Sequence, residues 1–260
     1  MQAEAAPVPF PNSATPVGSA RYYAVRFAQA GSRDMLALLL FWYDAIRTIA
    51  AAPRDPGVAR LKLDWWGQEL QRLQQQQARH PVSCALQEQS RLDTAALTLM
   101  TEIIVATEAE ITAPGLDDDN AFFEACRRTG GNLYRLLATV ETPSMPAAAE
   151  AAADQGSYDE AVERIRHFHD CPHRLPADIA RIRTDSRNAS ALSSRCGELL
   201  DALAATLPDS AGPTQCGVTR RLCALQRAMH VKMRRRGFPV DRELVERPPI
   251  AHLWTAWRCR

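Results

Sequence analysis

The chain has 260 residues, 46% of them hydrophobic and 23% charged, and its 31 Lys and Arg against 30 Asp and Glu leave a formal charge of +1. This much apolar material excludes the disordered and fibrous classes, and the balanced charge excludes a global field that would draw the protein to nucleic acid or acidic membranes. The seven cysteines are scattered, odd in number and without a CxxC pair, which excludes a disulfide framework and a zinc ribbon, so reduced thiols in a cytoplasmic compartment are expected.

Residues 1–18 carry Pro7, Pro9, Pro11 and Pro16 but no basic start followed by an apolar run, so they read as a flexible N-terminal arm and not as a secretory signal. From residue 19 to 260, helix formers in helical periodicity dominate and alternating β-branched stretches are missing. The expectation is one all-α domain, a single helical bundle. The first helix, Asp34 to Ala52, has Leu36, Leu39, Leu40, Tyr43 and Ile46 around nearly its whole circumference, as in a helix surrounded by others. Its longest apolar run, Met35 to Tyr43, falls short of the roughly 20 residues a bilayer crossing needs. No transmembrane segment is expected, and peripheral membrane contact stays open.

Asp55 as N-cap and Pro56 at the first helical position start a second helix that continues past Leu70 and Leu73. After Gln74–Gln77, His80-Pro81-Val82 begins a shorter helix, Leu92 to Ile111 forms another, and Pro114-Gly115 breaks the chain. Such short connections suit antiparallel packing. Asp117-Asp118-Asp119 precedes a helix over Ala121–Val140, where acids cap amides and match the dipole in preference to holding a cation. Gly130-Gly131 within that helix allows a kink or a close approach.

Pro143 and Pro146 end it, an alanine-rich helix spans Ala147 to Phe168, and Pro172 and Pro176 bracket a turn before Ile179–Arg183. Two helices follow between Ser190 and Met233, separated by Pro208 and Pro213. Pro248-Pro249-Ile250 with Leu253, Trp254 and Trp257 closes the chain as an apolar anchor docking a last helix, and Trp65-Trp66 likewise reads as packing. The basic run Lys232 to Arg236 before Gly237 is what a helix C-terminus favours, so no nucleic-acid partner is expected. His167 to His173 packs five metal-ligating side chains into seven positions, yet ligands this close in sequence converge only through a special loop; the alternative is a polar helix end. No nucleophile elbow, phosphate-cradling loop or HExxH is present.

Three stretches resemble the squalene/phytoene synthase family, which joins two prenyl diphosphates head to head in an all-helical fold. They are Ser19-Ala20-Arg21-Tyr22-Tyr23 with Arg33 and Phe41 to Ala50; Asp55-Pro56 through Lys62-Leu63-Asp64-Trp65-Trp66-Gly67-Gln68-Glu69-Leu70 to His80-Pro81-Val82; and Phe122 to Gly131. The closing Leu253 to Arg258 is similar to the tail of the branch that includes a mitochondrial complex I assembly factor. The resemblance implies an isoprenoid-synthase helical bundle in which Ser19, Arg21, Tyr22, Tyr23, Arg33, Tyr43 and Arg166 line a prenyl-diphosphate pocket.

It also implies two DxxxD-type motifs, because bound diphosphates are neutralised by magnesium held on carboxylates from two facing helices. Matching Phe41 to the family's phenylalanine puts Ile46, Arg47 and Ala50 at the first motif's aspartates and Tyr43 at an assisting arginine, with Asp44 one helical step away. The second motif matches Glu163-Arg164-Ile165-Arg166-His167, with Arg166 kept and His167 at an aspartate position. Two readings follow. Either the chain has lost prenyl transfer, takes no cofactor and binds a prenyl or other apolar ligand or a protein partner, or it is an active transferase with Mg2+ on Asp44, Asp64, Glu69 or Asp159. The active reading requires carboxylates from two helices around one cavity; the binding reading expects an apolar or basic one.

Overall fold

The computed structural model describes residues 9–51, 55–89, 92–112, 115–142, 145–168, 172–182, 189–207, 217–239 and 243–259. They form α1 (Ala20–Arg26), α2 (Arg33–Ala51), α3 (Pro56–Gln74), α4 (Pro81–Glu88), α5 (Thr94–Thr112), α6 (Asp119–Cys126) and α7 (Asn132–Glu141). After these come α8 (Pro146–Arg166), α9 (Ala177–Ile182), α10 (Ala189–Thr206), α11 (Gly217–Arg235) and α12 (Pro249–Arg258). Among the described residues there is no strand, only a single bridge between Leu116 and Pro176. No described helix is long and apolar enough to cross a membrane.

Local signals start the helices where the sequence places them. Asp55 accepts from the Gly57 and Val58 amides ahead of Pro56, Ser19 accepts from Tyr22 N, and Asp118 accepts from Ala121 N. Glu69 is fully buried, and its carboxylate takes the backbone amides of Arg79 and His80 at 2.7 Å each and Arg72 Nε at 2.7 Å. The stretch between the paired tryptophans and His80-Pro81-Val82 is therefore a structural clamp: one acid on α3 satisfies the orphan amides before α4.

Helix α2 is enclosed by α1, α3, α4, α5 and α7, with Met35, Leu36, Leu38, Leu39, Trp42 and Ile46 fully buried. Burying each such side chain contributes about 1.5–3 kcal/mol, which fixes α2 as the axis of one core cluster. Helix α8 packs against α7, α10 and α11 and carries Tyr158, Val162 and Ile165 into a second cluster. The helix expected over Ala121–Val140 is interrupted by a five-residue π-helical turn, Arg127–Gly131. A Cβ on Gly156 would lie 2.2 Å from the Gly130 carbonyl oxygen, so α8 and the turn meet backbone to backbone.

Two expectations are corrected. The arm is not free over residues 9–18: Ala14 and Thr15 are buried, Asn12 Nδ2 donates to Ala37 O at 3.0 Å, and the Phe10 ring stacks on Tyr22. The asparagine turn and the prolines hold this segment against α2; residues 1–8 lie outside the described residues. Nor are Trp254 and Trp257 packed inside, since they are 58% and 46% exposed while Ala256 alone is buried on α12.

Candidate functional site

Helices α2 and α8 face each other across two polar layers. In the first, Arg47 of α2 reaches Glu160 of α8 at 2.7 Å and Glu110 of α5 at 2.9 Å. Arg164, one turn along from Glu160, donates to Glu160 at 2.8 Å and to Glu110 at 2.5 Å, and Arg174 Nε lies 3.1 Å from Glu110. The Tyr43 hydroxyl donates to Glu160 at 2.6 Å, and Arg174 Nη2 donates to the Arg47 carbonyl at 2.9 Å. All five charged residues are buried.

Burial drives the Glu160 carboxyl upward, but Arg47 and Arg164 outweigh it and hold it far below the usual carboxylate range. Glu110 is lowered in the same way against its own burial by Arg164, Arg47 and Arg174. Burial, together with repulsion from Arg47, brings Arg174 down to about 10. Burial and the Glu160 charge push the Tyr43 phenol well up, so it stays a donor. Each carboxylate of this layer is met by guanidinium, so the layer is closed by its own pairing, while its outer side borders a cavity of about 230 Å³ that Asp44, Asp159 and Glu163 also line.

The second layer lies about one helical turn along and lines an open cavity of about 590 Å³. Arg21 of α1 binds both oxygens of Asp44 at 2.7 Å. On α8, Glu163 accepts from Arg166 at 2.8 Å and from Gln226 of α11 at 2.7 Å. Burial raises Glu163, yet the neighbouring His167, Arg166 and Gln226 bring it down to about 2. Asp159 goes the other way: burial and the Glu163 charge lift it to about 7, against the pull of Arg21 and the Tyr134 hydroxyl. Leu40, Leu133, Leu222, Leu225 and Met229 form the apolar walls.

The sequence-predicted residues do not form one site. Ser19, Arg21 and Arg166 line the cavity; Tyr22, Tyr23 and Arg33 line a separate cleft between α1 and α12. Tyr43 belongs to the closed layer, because its hydroxyl is drawn to Glu160, and it lines the smaller cavity that Arg21, Asp44 and Glu163 also reach. At the degenerate positions Ile46 and Ala50 are fully buried, Arg47 is in the closed layer, and His167 sits 3.5 Å from Glu163. Of the acids considered for Mg2+, Asp44 and Asp159 reach the cavity from facing helices, whereas Asp64 is exposed on α3 and Glu69 is spent on the α4 clamp. Within the His167–His173 segment, His169, Asp170 and Cys171 lie outside the described residues; among those described, no three His, Cys, Asp or Glu groups converge to hold a metal. Cys84, Cys126, Cys196, Cys223 and Cys259 are free thiols. The basic run on α11 is partnered by Asp201, by Glu243 and by the Glu246 carbonyl.

Glu110, Glu160 and Arg174 are the residues sequence reasoning missed. A signal existed for Glu110: it continues the buried stripe Ala96, Met100, Ile103, Thr107 of α5, and an acid in that phase demands a partner.

The comparisons with known proteins bear on this geometry. The family model for squalene/phytoene synthase matches residues 14–169, more than half of the chain. No curated protein matches. Among solved structures, a dehydrosqualene synthase in complex with ligand is similar with a TM-score of 0.63 at 10% identity, over 92% of this chain and 90% of that one. The likeness establishes the all-α isoprenoid-synthase fold.

Proposed function

This chain belongs to the squalene/phytoene synthase family, and on that footing we propose that it has given up magnesium-dependent prenyl-diphosphate transfer and binds a prenyl-like apolar ligand between α2 and α8. The observation that carries the reading is Arg47. Where the resemblance expects a magnesium carboxylate, a guanidinium already neutralises the acid on the facing helix, Glu160, at 2.7 Å. Magnesium demands several oxygen ligands in near-octahedral array.

The remaining cavity acids fit that demand poorly. Both Asp44 oxygens are taken by Arg21, Glu163 is held by Arg166 and Gln226, and burial beside the Glu163 charge disfavours the ionised form of Asp159. Without a metal clamp a departing diphosphate has little to stabilise its charge. What the cavity offers is volume within the usual small-molecule range, with Leu40, Leu133, Leu222, Leu225 and Met229 on its walls beside the charged side chains of α1, α2 and α8. That environment suits an apolar chain with one small polar end.

A second reading, an active transferase using Mg2+, draws support from Asp44 on α2 and Asp159 and Glu163 on α8 lining one cavity. Binding of a fluorescent farnesol analogue separates the two. The first reading expects saturable binding unaffected by a metal chelator and weakened about tenfold by Leu225→Trp, a cavity-filling change of about 1.4 kcal/mol. Affinity only for farnesyl diphosphate, and only with Mg2+ present, overturns it.

A further inference from the structure

A surface outside this cavity carries an inference that does not depend on the reading above. Ile250, Leu253, Trp254 and Trp257 fall at i, i+3, i+4 and i+7 of α12, the spacing of one helical face. That face points outward: Ile250, Trp254 and Trp257 are 68%, 58% and 46% exposed. The two indole rings lie 5.3 Å apart and 30° from parallel, forming a single plate. Val17, 74% exposed, extends the patch, because a Cβ on its neighbour Gly18 would touch Pro249 at 3.3 Å and His252 Nδ1 sits 3.2 Å from the Gly18 carbonyl. Single exposed apolar residues are ordinary, but a contiguous stripe marks a binding surface.

Beside the stripe lies the cleft of about 570 Å³ in which Tyr22, Tyr23, Arg26 and Arg33 meet Leu253. Arg26 is exposed, and Arg33 uses only its Nε, on the Ala28 carbonyl. Among the described residues no carboxylate pairs with Arg26, Arg33 or Arg258, whereas Arg221 deeper in the cleft has Glu141 at 3.5 Å. Helix α12 contains no acid and ends in Arg258. Unpaired guanidiniums flanking a tryptophan plate complement an anionic bilayer surface: indole rings settle at the headgroup boundary and guanidiniums meet phosphate.

We propose that α12 and this cleft form one docking face for an anionic phospholipid bilayer. Ile250, Trp254 and Trp257 enter the headgroup boundary, and Arg26 and Arg33 bind lipid phosphates. The helix, about 15 Å long for its ten residues, lies in the plane of the surface.

Co-sedimentation with vesicles tests it. The full chain is expected to partition about tenfold more into phosphatidylcholine vesicles containing phosphatidylglycerol than into phosphatidylcholine alone, a preference that fades with added salt. Trp254→Ala with Trp257→Ala should abolish partitioning, and Arg26→Gln with Arg33→Gln should abolish the anionic preference. Thermal melts check that these changes leave the fold intact, and Ile250→Glu provides an independent variant should the tryptophan pair fail to fold. The proposal is overturned if the wild-type chain stays in the supernatant, or if both pairs of substitutions leave partitioning unchanged. It is equally overturned if sedimentation velocity without lipid reveals a dimer that the tryptophan changes dissolve.

Discussion

The two polar layers between α2 and α8 use the same residue types, arginine against carboxylate, and do different things with them. In the closed layer three guanidiniums surround two buried carboxylates, Glu110 and Glu160, and only its outer side meets a small cavity. In the open layer Arg21 with Asp44 and Arg166 with Glu163 face a cavity, and the side chains of Asp44 and Glu163 are 42% and 32% exposed. Burial decides the difference: a desolvated charge is costly unless fully paired, so the first layer is a fixed element of the fold, while each partly exposed pair of the second contributes little to stability.

The sharpest way to break the comparison is to attack the closed layer. Glu160→Gln leaves Arg47 and Arg164 short of a counter-charge and should destabilise the protein by about 3–5 kcal/mol in denaturant unfolding. Arg47→Asp, the residue type that the resemblance implies here, sets a third carboxylate against Glu110 and Glu160 and should cost at least as much, seen as loss of soluble folded protein. A melt like wild type from either variant would show that the layer is not the lock described here.

Acidity should separate the layers by sign. Glu160, depressed in the folded state, contributes stability that is present above the ordinary carboxylate range and is lost progressively below it, as pH falls towards the depressed folded value. Asp159, raised to about 7 when folded from its ordinary 3.8, makes the folded state hold a proton the unfolded chain releases, so stability falls as pH rises across that window. Asp159→Asn should therefore stabilise the protein at pH 8 by roughly 1–3 kcal/mol, discounted for solvent in the cavity, with the gain vanishing towards pH 4. Melts across this range give the sign directly. The smallest effect belongs to Arg21→Ala, about 0–1 kcal/mol of stability, because its pair with Asp44 is partly exposed.

How much of this was legible in the sequence depends on whether the signal was local. The apolar circumference of α2, the Asp55-Pro56 start and the Asp118 cap rest on neighbours along the chain, and they read correctly. Gly130-Gly131 marks a kink or a close approach, but the partner Gly156 sits on another helix, and no local pattern names it. The closed layer joins Arg47, Glu110, Glu160 and Arg174 from distant parts of the chain. Only the tertiary fold assembles it. The α12 stripe was found but turned the wrong way, since i, i+3, i+4, i+7 spacing marks a face without saying whether core or solvent covers it. The seven residues that the resemblance places in one pocket divide because Tyr22, Tyr23 and Arg33 line the cleft beside Leu253 while Ser19, Arg21 and Arg166 line the cavity.

The central claim is that a protein-borne cation has replaced the metal clamp between α2 and α8. The most direct measurement is pyrophosphate release from purified protein given Mg2+ with farnesyl or geranylgeranyl diphosphate. No release above the protein-free control is predicted, while release at an enzyme-like rate, abolished by Asp44→Asn or Asp159→Asn, would contradict it.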